Sequence, residues 1–436
     1  MKNLKYKKAL LSAFSAIVFV SQANAFPMFE KQTGLECNAC HLQQQPKLTK
    51  IGRDFALSGM TLTQKLKEDT AVNNTDLNVS LMLKSRYEKT EDKPGANGLV
   101  SEDSETNDGE LSVPKTASLY GGGRLTDEFG VLLHADYKDQ EDNALGGKVV
   151  YTKKNADGYL GAALYSTANF GPFSGMEVYN TGLYKPLRNF EIMKLSNANQ
   201  ATKVGSGKAT GLQLYYSQDS LFSDSDYFFT SIGVFSPSQD NSDMTLTNNF
   251  VPLARIAYEY PLGDFNFIFG GFAIAGGNTV SSGEELSVER ETYGIDLQIE
   301  GNIAQKDVTI TATKVLRNDV NYTGLEAGSS EELEDVLNRA FSIETEVSMT
   351  DDLAVKLAYL EYNDLFTYPD VGGDGEHSVN NHLDVRDIAR AITLGFDYSF
   401  KYYFPMKVSI ENSWAVPALD RVENYSDFVV TLNILF

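Results

Sequence analysis

The chain has little cysteine, histidine or tryptophan: two, four and one among 436 residues. Two cysteines allow at most one disulfide, so a densely stapled scaffold is excluded. With one CxxC, no second pair and no HxxxH, only Cys37, Cys40 and His41 cluster, one ligand short of a structural zinc site. Basic residues are in deficit. Lys and Arg total 37 against 59 Asp and Glu, a net charge of −22. That argues against nucleic acid as a partner and favours cations, basic proteins or plain solubility. Mean hydropathy is low, −0.27. Beyond residue 25 there is no apolar run of the roughly 20 residues a spanning helix needs.

The first 25 residues read as a targeting segment. Lys2, Lys5, Lys7 and Lys8 are a basic lead, Ala9 to Val20 an apolar run, and Ala23-Asn24-Ala25 a small-x-small cleavage site. Residues 1–25 are expected to be a secretory signal, with the mature chain starting at Phe26. A membrane anchor needs a longer run and has no use for the cleavage site.

Soon after comes Cys37-Asn38-Ala39-Cys40-His41, which holds both cysteines. CxxCH is the attachment pattern of c-type haem: two thiols for the vinyl groups and an adjacent imidazole for the iron. Export suits it, because such haem is attached outside the bacterial cytoplasm. A disulfide or a thioredoxin-like dithiol stays open as a second reading, although the βαβ context of the latter is missing.

What the chain has in quantity is aromatic residues, 23 Tyr and 25 Phe, set in segments that alternate with a period of two. Phe428, Val430, Leu432, Ile434 and Phe436 share one face; Asp427, Thr431 and Asn433 share the other. Tyr293, Ile295, Leu297 and Ile299 alternate with Asp296, Gln298 and Glu300. Phe341, Ile343 and Val347 alternate with Ser342, Glu344 and Glu346, and Leu77, Val79, Leu81 and Leu83 with Asn78, Ser80 and Lys84. Such alternation places one set on each side of a sheet. A soluble sandwich alternates too. Aromatics at strand ends, connections alternating between short and long, and the terminal Phe436 favour an all-β transmembrane antiparallel barrel.

Short turns are expected at 126–128, 155–157, 262–264, 305–307, 350–352 and 400–405, with long polar loops at 89–112, 276–288, 318–337, 364–387 and 414–424. Both termini in the periplasm require an even strand number. Strand directions counted inward from each end conflict around 170–205. Treating that Gly- and Asn-rich stretch (Asn180, Asn189, Asn197, Asn199) as one long loop gives about 16 strands. The loop is expected to fold inward and narrow an otherwise aqueous lumen.

The domain division follows: 1–25 signal, 26–72 a small haem-bearing plug, 73–436 the barrel. The plug's roughly 45 residues are too few for a core of their own, so it is expected to lean on the haem, the wall or both. Lys47, Lys50 and Arg53 are candidates to pair with haem propionates or with the lumen carboxylates Asp296, Glu300, Glu344 and Glu346. Acidic runs at 101–110 and 331–335 make an acidic mouth that concentrates cations.

Phe26-Pro27-x-Phe29-x-x-Gln32-Thr33-Gly34-x-x-Cys37-x-x-Cys40-His41, Pro46-x-Leu48-Thr49 and Gly52-Arg53-x-Phe55-x-x-x-Gly59 together resemble the N-terminus of the fused monohaem cytochrome–porins, outer-membrane iron oxidases of iron-oxidising bacteria. The likeness is specific over residues 26–60 and architectural beyond. It implies one covalent c-type haem on Cys37 and Cys40 with His41 as proximal ligand. It also implies an oxidoreductase-like role at the bacterial outer membrane: electrons taken from extracellular Fe(II), or another donor, pass to a periplasmic c-type cytochrome. Outer-membrane lipid and the barrel-assembly machinery are the further partners. The family often has Tyr after the glycine; here it is Met60. Met60 is therefore the first candidate for distal ligand, which as His/Met ligation raises the reduction potential; His134, expected to point into the lumen, and Met28 follow. His377 and His382 fall in a long external loop as weak metal candidates. In the mechanism expected here, Fe²⁺ enters by the acidic mouth and gives up one electron without bonding to the protein. Outward electron flow through the same build, and a diffusion porin with a structural haem plug, are the competing readings.

Overall fold

A computed structural model describes residues 28–41, 47–63, 76–91, 109–138, 144–155, 157–167, 190–192, 196–199, 209–223, 225–236, 250–275, 278–280, 287–323, 336–363, 388–401, 405–417 and 424–436. The signal, the acidic clusters at 101–108 and 331–335, His377 and His382 lie outside them. Three short helices come first: α1 (Met28–Thr33), α2 (Cys37–Cys40) and α3 (Lys50–Leu57). The strands follow: β1 (Asp76–Glu91), β2 (Glu110–Arg124), β3 (Phe129–Lys138), β4 (Ala144–Asn155), β5 (Gly158–Thr167), β6 (Ala209–Asp219), β7 (Tyr227–Ser236), β8 (Val251–Leu262) and β9 (Phe265–Ile274). Then come β10 (Asn278–Val280), β11 (Ser287–Ile303), β12 (Lys306–Thr323), β13 (Val336–Ser348), β14 (Leu353–Asn363), β15 (Ile388–Lys401), β16 (Pro405–Pro417) and β17 (Tyr425–Leu435).

Each long strand pairs antiparallel with its sequence neighbours; β9 passes over β10 to pair with β11, and β1 pairs with both β2 and β17. The sheet therefore closes on itself. Of the seventeen strands, β10 pairs with β11 alone, through Asn278↔Glu289 to Val280↔Ser287. The wall thus has the sixteen strands expected from direction parity. The closing seam is pinned at its end by Leu81 N–H to Phe436 O, 3.1 Å, and Phe436 N–H to Leu81 O, 2.7 Å.

The connections sort by rim. Turns at 125–128, 263–264, 304–305 and 349–352, and the facing ends of β4 and β5 and of β15 and β16, share one rim with the start of β1 and with Phe436. A further short connection, 220–226, was not anticipated. It is stitched by the Asp226 carboxylate, which accepts from the N–H groups of Phe222 and Ser223 and from the Tyr258 hydroxyl. At 304–305, Ala304 and Gln305 both have positive φ, 51° and 64°, the hairpin geometry whose twist matches the flanking strands. The strand ends that flank the long connections lie at the opposite rim. Several strands run further into them than expected: β12 extends to Thr323 and β13 starts at Val336.

Alternation decides what each side of the wall offers. Val79, Leu133, Leu160, Ile232, Ile295 and Trp414 stand exposed on the outside, while Ser80, Gln213, Glu344, Lys356 and Ser413 are buried inside. An apolar exterior around a polar interior is the reverse of a soluble sandwich, and a closed wall leaves no unpaired strand edge for hydrocarbon to meet. Among the described residues no helix is long and apolar enough to cross a membrane; strands provide the crossing.

Two segments lie inside. The N-terminal helices occupy the half of the lumen toward the short turns. Residues 190–192 and 196–199 fold in at mid-height, as expected of the long loop. Glu191 accepts from Lys84 Nζ at 2.7 and 2.8 Å, and the N–H groups of Glu191 and Ile192 both donate to Glu411 Oε2. Beneath them Lys356 pairs with Asp397 at 2.8 Å and Glu411 at 2.9 Å, and Lys407 with Asp397 at 2.6 Å. Lys356 Nζ also sits 4.9 Å from the centre of the Phe190 ring. Buried charges persist only when so matched.

A candidate cofactor site inside the barrel

The CxxCH motif forms a single helical turn, α2, with His41 N–H closing it onto Cys37 O at 2.9 Å. Cysteines three apart on a helix share a face. Both are half-buried and neither is in a disulfide, and burial pushes the Cys40 thiol above its ordinary value. Two reduced sulfurs on one turn with an imidazole directly after them make a donor set that fits a c-type haem. Cys37 Sγ also approaches Glu30 Oε2 of α1, at 3.7 Å.

The neighbouring chain explains why the turn holds its shape. Thr49 N–H donates to Cys40 O at 2.9 Å, and the Thr49 hydroxyl donates to Ala39 O at 2.6 Å. The same hydroxyl caps α3 by accepting from Gly52 N–H at 3.2 Å, which satisfies one orphan donor of the helix start. A side chain at Gly52 would run into the Cys40 carbonyl, so glycine is what lets the two helices touch. His41 and Leu48 form a single antiparallel bridge.

α1 closes the other side. Phe29 packs edge-on against Phe55, ring centres 4.8 Å apart. Gln32 Nε2 donates to the carbonyls of Met60 (2.7 Å) and Leu62 (2.8 Å), and Thr63 donates to Gln32 O. Met60 follows Gly59, and both have positive φ, 62° and 66°, a left-handed helix end that Gln32 holds by its carbonyl.

The wall grips this assembly at named points. Met28 N–H donates to Ser80 Oγ at 2.7 Å. The free carbonyl of Leu57 at the end of α3 accepts from Tyr215 OH at 2.7 Å and Thr152 Oγ1 at 3.2 Å. Arg53, only 2 % exposed, donates to Glu259 at 2.8 Å and to both oxygens of Glu300, at 2.7 and 3.3 Å. Asn266 and Gln298 donate to the same carboxylates. Lys47 Nζ lies 3.2 Å from Glu346. Asp54, beside Arg53, is pushed up to about 6 by burial first and then by the nearby charge of Asp219.

The expected cation pairings therefore hold for Arg53–Glu300 and Lys47–Glu346 and need correcting elsewhere. Asp296 is taken by Arg255 of β8, at 2.9 and 3.1 Å. Glu344 accepts from Asn197 of the inner segment, and Lys50 is exposed. Glu259 and Tyr215 are contacts that sequence reasoning missed; each stands inward on its strand, but nothing local marks it as facing α3.

Cys37 and Cys40 lie on α2 and His41 directly follows it as its C-cap. Met60 and Met28 are buried in a second group, one apolar cluster that includes Phe55, Leu57 and Tyr120. His134 points into the lumen as expected, fully buried, its ring 4.6 Å from that of Tyr120. The three distal candidates thus gather around one apolar cluster. Among the described residues no group of three or more His, Cys, Asp or Glu is arranged to hold a bare metal ion.

No family model matches the chain. No curated protein matches it either. Solved structures do resemble it. The outer-membrane protein OmpT of Vibrio cholerae, as its loop-L8 deletion mutant, has 13% identity and a TM-score of 0.44, covering 84% of this chain and 100% of that one. The outer-membrane channel DcaP of Acinetobacter baumannii has 11% identity and a TM-score of 0.45, covering 85% and 98%. OmpF of Salmonella typhi, in complex with daunomycin, has 14% identity and a TM-score of 0.44, covering 83% and 97%.

Proposed function

We propose that this chain is an outer-membrane barrel carrying one covalent c-type haem on its N-terminal segment, held by Cys37, Cys40 and His41. In this reading it relays single electrons between a donor outside, Fe(II) in the first instance, and a c-type cytochrome in the periplasm. The supporting observation is the joint placement of the CxxCH turn: α2 is fixed to α3 by Thr49 and Gly52, and α3 is fixed to the wall by Arg53. A haem so bound supplies reversible one-electron chemistry at a potential set by its axial ligands and burial. The chain's own part is to orient the CxxCH turn, to exclude water with Phe29, Phe55 and Met60, and to hold the unit in the short-turn half, the periplasmic side in barrels of this kind.

The test is an anaerobic visible spectrum of the air-oxidised protein before and after Fe(II), with haem staining of a denaturing gel. A stained band that Fe(II) reduces supports the reading. A band that dithionite reduces and Fe(II) does not moves the donor elsewhere. A protein without haem, made in a host that matures c-type cytochromes, removes the electron-transfer reading.

A second reading, a diffusion porin with a structural plug, is supported by the closed sixteen-strand wall and the segment folded against its charged inner face. Conductance in a planar bilayer separates the two.

A further inference from the structure

The outer face of the wall is apolar around most of the barrel but not all of it. Outward positions on β5 to β9 carry no charged side chain. On β12, β13 and β15 three cations stand exposed: Lys314, Arg339 and Arg390. Their strand neighbours Val315, Ala340 and Ala391 are buried inside, so the cations face the lipid side. Register gathers them. One lateral row runs Ile295↔Lys314↔Phe341↔Glu361↔Arg390↔Val416 across β11 to β16. Arg339 stands two residues from Phe341 on the same face of β13, toward the long-loop rim. With neighbouring strands ~4.8 Å apart, Lys314 and Arg390 are separated by about 14 Å.

Depth follows from the aromatics. Three outward rings bracket the row, each two residues from it along its strand: Tyr293 from Ile295, Tyr359 from Glu361 and Trp414 from Val416. Such a girdle marks the level of the lipid headgroups. A lipid-facing cation is costly at mid-membrane and nearly free at that level, and long stems let lysine and arginine reach up to it. The acids beside the cations are otherwise engaged. Glu361 accepts from Tyr359 OH at 3.2 Å and Glu291 from Tyr293 OH at 3.4 Å. Among the described residues none of the three cations is in an ion pair. Guanidinium forks and an ammonium are the groups that bind phosphate.

We propose that Lys314, Arg339 and Arg390 form a binding site on the outer face of the barrel for a phosphorylated glycolipid of the outer leaflet. The long-loop rim is the external side in barrels of this kind, so the headgroups at this level are those of the outer leaflet. The lipid's phosphates lie against the three cations, and its acyl chains run down the apolar face past Ile343, Leu357 and Ile392. The site fixes one sector of the wall, β12 to β15, to its lipid and leaves β5 to β9 without such a hold. It requires the barrel to stand in an outer membrane and is independent of the haem.

The experiment titrates the purified full chain, folded in detergent, with diphosphorylated lipid A. Native mass spectrometry counts the lipid retained. The emission of Trp414, the chain's single tryptophan, reports whether the lipid sits at the row, because Trp414 pairs with Ile392, two residues from Arg390. Unaltered protein should retain the lipid with a saturable emission change. The variant K314Q/R339Q/R390Q should retain it about tenfold less well or worse, having lost its charge-assisted hydrogen bonds, and R390Q alone should lose part of the binding. Fully dephosphorylated lipid A should not be retained. Heat-modifiable gel migration on every sample reports folding. Equal retention by the folded variants, or of the dephosphorylated lipid, overturns the proposal. So does the same emission change with inorganic phosphate alone, which would mark a site for a free anion. A change that follows protein concentration without lipid would give the face to a second copy of the chain and overturn it too. No step measures haem, so failure here leaves the spectroscopic test of electron transfer intact.

Discussion

Arg53 and Glu300 meet through two contacts, Nη1 to Oε1 at 2.7 Å and Nη2 to Oε2 at 3.3 Å, with the guanidinium nearly closed off from water. One belongs to a helix of the N-terminal segment and the other to the wall, so this pair fastens the contents of the barrel to its container. Such a two-point pairing is specific to arginine, whose planar fork matches a carboxylate.

Arg53→Met leaves Glu259 and Glu300 buried without their cation. Removing one partner of a buried pair costs about 3–5 kcal/mol. The expected outcome is a segment that trypsin cuts at Lys47 or Lys50 while the barrel keeps its heat-modifiable migration. The triple change R53M/E259Q/E300Q should recover part of the protection. Unchanged digestion of R53M would show that the ion pair does not hold the segment.

Asp54 supplies a pH dependence. Its ordinary value is 3.8 and docking raises it to about 6. Between those values the docked segment keeps a proton that the undocked segment has lost, so docking weakens as pH rises through the window and levels off above it. D54N should match the unaltered protein on the acid side of the window and be better protected on the alkaline side. Limited proteolysis with an enzyme active at both pH values measures this. Equal protection throughout would refute it.

Tyr215→Phe removes the hydroxyl that donates to Leu57 O at 2.7 Å and bonds Thr152. Thr152 remains to serve the carbonyl, so the expected loss is about 1 kcal/mol. Hydrogen exchange at the end of α3 should speed up, with the strands of the wall unaffected. Faster exchange across the wall would instead assign Tyr215 to the barrel.

Under the electron-relay reading, Met60→Leu should leave haem covalently attached and lower its reduction potential, since loss of a Met ligand removes what raises it. His134→Leu should leave the potential unchanged. A spectroelectrochemical titration of the two variants decides between them, and the reverse result would make His134 the distal ligand.

The barrel was legible because a lipid-facing wall writes its alternation plainly. In β17, Phe428, Val430 and Leu432 face outward while Asp427, Val429 and Thr431 are buried inside. That residues 190–192 and 196–199 are not part of the wall followed from strand parity, a global constraint that needs no local signal; their inward course was expected by analogy with the inner loops of porins. The lumen was less legible. Alanine and valine serve either side of a strand, so Ala391 and Ala415 look like gaps in a pattern rather than buried positions that face inward. The plug motif was readable as a likeness, but its mechanics were not. Gly52, Gln32 and Arg53 each act through a partner brought close only by folding: Cys40, Met60, and a pair of carboxylates on β8 and β11.

β1 and β17 pair from Met82↔Leu435 to Glu91↔Ser426, so the wall becomes a tube only when these two strands meet. The N-terminal helices lie enclosed by it. The wall residues that grip the N-terminal helices, Ser80 on β1, Glu259 on β8 and Glu300 on β11, stand together around them only in the closed tube. A chain lacking β17 would have every other part and no enclosure, with raw strand edges on β1 and β16 facing the lipid.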